Sequence, residues 1–119
     1  MNLDNAVVDL LNVEVAYPFD EKTRVYKVEN KMFMLTDNQY TYANLKNDPD
    51  KNYLLRTSFD YITPGYHMNK EHWNTIDLQA EFDENLVKGL IIESYVCIIK
   101  KLPKKTQVKY ASILAEYQN

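Results

Sequence analysis

The sequence predicts an α+β fold, a two-layer α/β sandwich in which one antiparallel sheet carries helices on one face, in the order α-βββ-α-ββ-αα. Three observations lead there. Between Arg24 and Leu45 three β-rich runs follow one another with only turn residues between them. From Asp83 to Lys101 the apolar residues keep a helical period. The 119 residues are 45% hydrophobic and 26% charged, which suits a single domain over 1–119 able to bury about two-thirds of its unfolded surface.

The first element is a short helix, because Leu3, Val7, Leu10 and Leu11 fall on one helical face with Asp4 and Asp9 turned outward. Tyr17-Pro18 breaks it. Arg24–Val28, Met32–Leu35 and Gln39–Leu45 are the three strands. The turn-like Glu29-Asn30 and Thr36-Asp37-Asn38 between them make an antiparallel meander. Asp48-Pro49-Asp50 starts the second helix: Asp48 caps, Pro49 suits the first position and Asp50 favours the positive dipole end. It runs to Ser58, with Tyr53, Leu54 and the stem of Arg56 on its buried side. Thr63-Pro64-Gly65 closes that region. Tyr66–Met68 and Trp73–Leu78 flank a polar Asn69-Lys70-Glu71-His72 segment as a second hairpin. Asp83 opens the longest helix, whose inward rows hold Leu86, Leu90, Ser94 and Ile98 beside Val87, Ile91, Tyr95 and Leu102. Pro103 begins a last helix with Val108, Ala111 and Ala115 inward.

Composition excludes several function classes. Two glycines, Gly65 and Gly89, cannot form a phosphate-cradling glycine loop. One cysteine excludes an intramolecular disulfide framework and a multi-cysteine zinc site. A metal site needs about three or four ligands, and only Glu71, Asp77 or Cys97 could join His67 and His72, so no metal site is expected. Cys97 lies in an apolar stretch of the long helix, where burial opposes the thiolate. No serine has a nucleophile-elbow context. The acid pairs Asp48/Asp50 and Asp83/Glu84 are explained as helix starts. No enzyme, catalytic residue or cofactor is expected. No apolar run is long enough to cross a membrane, the N-terminus does not read as a signal peptide, and a cytoplasmic setting is the default.

Two constellations remain. Pro64-Gly65-Tyr66-His67-Met68-Asn69-Lys70-Glu71-His72-Trp73-Asn74 reads as a projecting wing, with Lys70 on a phosphate and Asn69 or Asn74 on a base edge. The alternative is structural: Pro and Gly set the turn, Trp73 packs inside and the histidines satisfy backbone groups. Lys100-Lys101-Leu102-Pro103-Lys104-Lys105 places four cations at a helix junction. Lys100 and Lys101 suit a helix C-terminus, but Lys104 and Lys105 sit at a helix start, where cations are disfavoured. The net charge of −3 divides unevenly, −7 over residues 1–99 and +4 over residues 100–119.

With these residues laid out, the chain resembles the MmcQ/YjbR family of small bacterial proteins from Tyr17 to Lys105. The resemblance is carried by Tyr17-Pro18-Phe19, Lys31-Met32-Phe33, Leu45-Lys46 with Asp48-Pro49, Leu55-Arg56, the block from Pro64 to Asn74 with Thr75, Ser94-Tyr95 and Lys101-Leu102-Pro103-Lys104-Lys105. The N-terminal helix is short for the family, and Glu29-Asn30 stands where a more glycine-like turn is usual. The resemblance implies a fold similar to secretion chaperones and a DNA-binding role through a double-wing arrangement. The candidate contacts it implies are Tyr66, His67, Asn69, Lys70, His72, Trp73, Asn74, Lys100, Lys101, Lys104 and Lys105. The leading expectation is therefore a DNA-binding module, monomeric or weakly dimeric. The alternative is a protein-interaction or chaperone-like module without nucleic acid, suggested by ten tyrosines and an acidic pI of about 5.3. A third reading is a small-ligand pocket lined by Tyr66, His67, Arg56 and Trp73.

Overall fold

Asn2 starts the first helix by accepting hydrogen bonds from the Asp4 and Asn5 amides. In the computed structural model, which describes residues 1–117, that helix (α1, Leu3–Ala6) is shorter than the apolar spacing suggests. Leu3 and Val7 are buried, but the chain leaves the helix before Leu11, which is exposed. Asn12 then takes a left-handed φ of 60°, and a strand absent from the expectation follows (β1, Glu14–Ala16).

The meander is present as β2 (Thr23–Val28), β3 (Lys31–Asp37) and β4 (Tyr42–Lys46). Glu29 and Asn30 connect β2 to β3 with φ of 48° and 61°, the doubly left-handed turn that matches strand twist. Then come α2 (Pro49–Ser58), β5 (Ile62–Pro64), β6 (Trp73–Asp77) and α3 (Glu84–Lys100). The C-terminal end is α4 (Lys104–Gln107), a 3₁₀ turn and α5 (Ala111–Glu116). The six strands form one antiparallel sheet in the order β1-β2-β3-β4-β6-β5. The α+β class and the sheet with helices on one face are as expected.

Strand alternation divides the sheet. Tyr26, Val28, Ala43, Leu45, Ile62 and Ile76 face α3 and its neighbours, and join Val87, Leu90, Ile91, Tyr95 and Ile99 in the main core. A bulge between β2 and β3 puts two residues, Met32 and Met34, opposite the adjacent pair Lys27 and Tyr26. The extra residue, Phe33, therefore joins Met34 on the helix side. Ser94 of α3 ties the sheet together by donating to the Phe33 carbonyl at 2.5 Å and accepting from the Lys46 amide at 2.8 Å. Val25, Leu35 and Trp73 form a second cluster on the opposite face with Met32 and Met68 against it.

Several local expectations change. The second hairpin pairs β5, not Tyr66–Met68, with β6; residues 65–72 form turns instead. On α2 the buried residues are Asn52 and Leu55, while Tyr53 and Leu54 are exposed. Asp48 makes no side-chain cap; Pro49 starts the helix and the Asn47 side chain accepts from the Asp48 amide. At the C-terminal end Tyr110 is buried, whereas Val108, Ala111 and Ala115 are exposed. The 3₁₀ turn shifts the helical phase there, so a single 3.6 period does not run through. Among the described residues no helix is long and apolar enough to cross a membrane.

Candidate functional site

The segment between β5 and β6 is built by close approach. Gly65 donates to the Trp73 carbonyl at 2.9 Å. A Cβ at Gly65 would lie 2.8 Å from Trp73 Cβ and 2.9 Å from Trp73 O, so only glycine fits. Asn69 accepts from the Glu71 and His72 amides at 2.9 and 3.2 Å, and Lys70 Nζ donates to the Gly65 carbonyl at 2.9 Å. From α2, Arg56 donates to Asn74 Oδ1 at 2.6 Å, to Trp73 O at 3.3 Å and to the Lys70 carbonyl. Asn52 donates to Glu71 O at 3.1 Å, and the Asn47 amide donates to His72 O at 3.0 Å. The segment is thus bound down against α2 rather than projecting as a wing.

This corrects two of the expected contacts. Asn74 is 3% exposed, donates to Asn52 O and accepts from Arg56, so it presents no group to a base edge. Trp73 is 7% exposed, packed with Val25 and Leu35 in the second apolar cluster. Both hold the segment in place. The side chains of Asn69 and Lys70 also hold the segment's own backbone, although both residues are exposed.

The remaining candidates separate into two places. His72 meets Lys46, Lys100 and Lys101 around a cleft of about 330 Å³, with Asn47, Asp48, Pro49 and Cys97 completing its wall. Lys46 is a residue that the sequence reading did not select. Burial pushes its ammonium below the ordinary lysine value, and the nearby charges of Lys101 and Lys31 push the same way. Among the described residues no carboxylate lies within 4.0 Å of Lys46, Lys100 or Lys101; the ion pairs are Arg24–Asp4, Lys51–Glu93 and Lys109–Glu29. The lysines are not needed as helix caps either. Gln107 donates to the Lys100 and Leu102 carbonyls at 3.1 and 2.8 Å, covering the end of α3. Lys104 and Lys105 are exposed on α4, beyond the cleft wall. Cys97 is partly buried, and that burial raises its thiol pKa, as expected of a packing residue.

Tyr66 and His67 line a larger cleft of about 710 Å³ on the face of the sheet that carries no helix. Met32, Leu35, Tyr42, Asn44 and Thr75 form its floor, Phe19 and Met68 contribute to its walls, and Asp77 and Gln79 lie at its rim. The rings of Tyr66 and His67 are 4.0 Å apart, and His67 holds a left-handed φ of 59°. Asn44 accepts from Thr75 Oγ1 at 2.6 Å, and Thr75 Oγ1 accepts from the Tyr66 amide at 2.9 Å. This chain of bonds fixes Tyr66 over the sheet. Arg56 and Trp73 do not line the cleft, so the four-residue ligand pocket suggested by the sequence is not assembled. Tyr42 and Asn44 alternate along β4 and mark a second side-chain face, which no helix covers. On β3 the bulge sends both Phe33 and Met34 to the helix side, so Met32 and Leu35 lie three residues apart and no simple alternation announces the cleft.

The family model described as YjbR matches residues 8–97. The chain belongs to the YjbR family. Escherichia coli O157:H7 YbdF, itself uncharacterized, is 36% identical over 102 residues, covering 84% of each chain. Escherichia coli K12 YjbR, also uncharacterized, is 28% identical over 88 residues, covering 72% of this chain and 75% of its own. The crystal structure of Deinococcus radiodurans protein DR2400 superposes with a TM-score of 0.82 at 33% identity, over 91% of this chain and 83% of that one. A Pseudomonas syringae protein of known structure shares the fold, with a TM-score of 0.65 at 24% identity over 79% of this chain and 96% of its own. The YjbR segment spans the sheet, α2 and most of α3, including the whole floor of the larger cleft. It stops before the lysine junction.

Proposed function

We propose that this YjbR-family chain binds nucleic acid by gripping the phosphate backbone at the lysine cleft. One observation carries the reading: Lys46, Lys100 and Lys101 come from two separate elements to one cleft, beside His72, without a carboxylate partner among the described residues. Lys46, partly desolvated in the cleft, is disfavoured by the charge of the exposed Lys101 beside it, and a phosphate among the lysines relieves that repulsion. Lys104 and Lys105 extend the basic surface outward. The tied-down segment 65–72 contributes His72 at the cleft edge and is not a groove-entering wing. Asp48 at the cleft wall and the acidic remainder of the chain keep the affinity modest and backbone-directed.

Anisotropy of a labelled duplex and of a labelled single strand tests this. Neutralising about four phosphates predicts roughly 100-fold weaker binding between about 50 and 200 mM salt. Lys100→Glu/Lys101→Glu should abolish the low-salt complex. Absence of binding by the parent protein at low salt would remove the reading. A protein-interaction module would then stand, favoured by Tyr53 and Leu54, adjacent apolar side chains exposed on the outer side of α2.

A further inference from the structure

We propose that the open face of the sheet is a separate small-molecule site, which takes a flat aromatic ligand that is neutral or cationic and carries a hydrogen-bond acceptor or amide-like edge. This rests on the cleft over β3, β4 and β6 and not on the nucleic-acid reading. The volume of about 710 Å³ lies in the range of ligand sites, which are mostly apolar with a few placed polar groups. The apolar part is Met32, Leu35 and Met68, and the aromatic part is Phe19 and the Tyr66–His67 pair. Phe19 and Tyr66 are 63% and 69% exposed. Large rings left in water at the mouth of an apolar cleft can bury area on both faces of a flat guest. The methionines suit a stacked ring, because their thioethers are polarizable and adapt in shape.

Polar groups select the ligand. Asn44 is 5% exposed in the floor, and its side-chain amide nitrogen has one partner, the Tyr66 carbonyl, at 3.5 Å. That bond is at the limit of hydrogen-bonding distance, so the amide can turn its donor to a ligand acceptor. Charge selects as well. Among the described residues no lysine or arginine lines the cleft, whereas Asp77 does. Burial raises the Tyr42 phenol pKa, and the carboxylates of Asp37 and Asp20 raise it further, which places negative potential over the floor. An anion such as a phosphate or carboxylate is therefore disfavoured here, the reverse of the lysine cleft.

The four methionines supply the test. Met32 and Met68 line the cleft, whereas Met34 is fully buried on the other side of the sheet. The protein, labelled with ¹³C at the methionine methyls, is titrated with three isosteric probes: naphthalene-2-carboxamide, naphthalene-2-carboxamidine and naphthalene-2-carboxylate. Saturable shifts of Met32 and Met68 are expected with the amide, whose carbonyl can accept from Asn44, and more weakly with the amidine, which stacks and carries the favoured charge but offers no acceptor; Met34 stays unmoved and the carboxylate binds at least tenfold more weakly than the amide. Tyr66→Ala and Phe19→Ala, both truncations of exposed rings, should each weaken the amide about tenfold. The proposal is overturned if neither neutral nor cationic probe saturates, if the carboxylate binds as well as the amide, or if Tyr66→Ala and Phe19→Ala leave binding unchanged. Shifts of Met32 and Met68 that follow protein concentration without a probe would overturn it too, by showing a second copy on this face.

Discussion

Asp4 shows how one side chain joins the shortest helix to the sheet. Arg24 donates to its carboxylate oxygens at 2.8 and 2.9 Å, and the Tyr26 hydroxyl donates at 2.5 Å. Burial pushes the Asp4 carboxyl pKa up, but the bonds from Tyr26 and Arg24 and the Arg24 charge outweigh it, and the net shift is downward. A carboxyl with a folded pKa below its unfolded value contributes stability that is complete above the unfolded pKa of about 3.9 and is lost as pH falls through the folded value. Asp4→Asn should therefore reduce stability by about 1 kcal/mol at neutral pH, a low figure for a charged hydrogen-bonded group because this one is partly open to solvent. The cost should shrink as pH falls from the unfolded value through the folded one. Urea midpoints of parent and variant across that range check it, and a pH-independent difference would contradict the pairing. Nothing in the sequence signals the triad, since Asp4 and Arg24 are twenty residues apart and meet only after the sheet forms. The same holds for Lys46. A single lysine at a strand end has no pattern, whereas Lys100-Lys101 and Lys104-Lys105 are visible as a run.

At the scale of elements, what was legible depended on length and on local capping. The capped, strongly periodic α3 lies where its apolar rows place it, with Asp83 accepting from the Leu86 amide at 3.2 Å. The three-residue strands β1 and β5 are too short for alternation to identify. Each exists because it adds to an edge already formed by β2 or β6. The wing reading missed because the segment 65–72 is held by partners on α2, far away in sequence. Arg56 is the main partner, with three hydrogen bonds to residues 70–74. Arg56→Ala leaves Asn74 Oδ1 and the Lys70 carbonyl without this donor. It should cost about 2 kcal/mol and selectively speed amide exchange at residues 65–73. Hydrogen exchange followed by mass spectrometry checks this. Lysine at position 56 should not restore protection, because one ammonium cannot reproduce the guanidinium's fork.

Over the whole molecule, the two clefts share no lining residue, yet both use the segment 65–72. Tyr66 and His67 face the sheet, and His72 faces the lysines. Whether one site feels the other depends on that segment being rigid or having two arrangements, since coupling requires an element whose equilibrium both ligands bias. In the parent protein the segment is fixed at several points: Gly65 against Trp73, Tyr66 on Thr75, and the backbone of residues 70–72 on Arg56, Asn52 and the Asn47 amide. So many constraints leave one arrangement, and the sites should be independent. Saturating naphthalene-2-carboxamide should then change the apparent Kd of a DNA duplex less than twofold. Neutral stacking in the open-face cleft should also be nearly insensitive to salt, while the lysine cleft follows counterion release. Arg56→Ala breaks the independence at its source. With the segment loosened, each ligand must order it before binding, so both affinities should fall, and the first ligand bound should then favour the second. Measuring the duplex Kd with and without the carboxamide, in parent and Arg56→Ala proteins, separates the cases. Coupling confined to the variant supports a rigid bridge between two sites, whereas coupling already present in the parent would mean that the segment is itself the moving part.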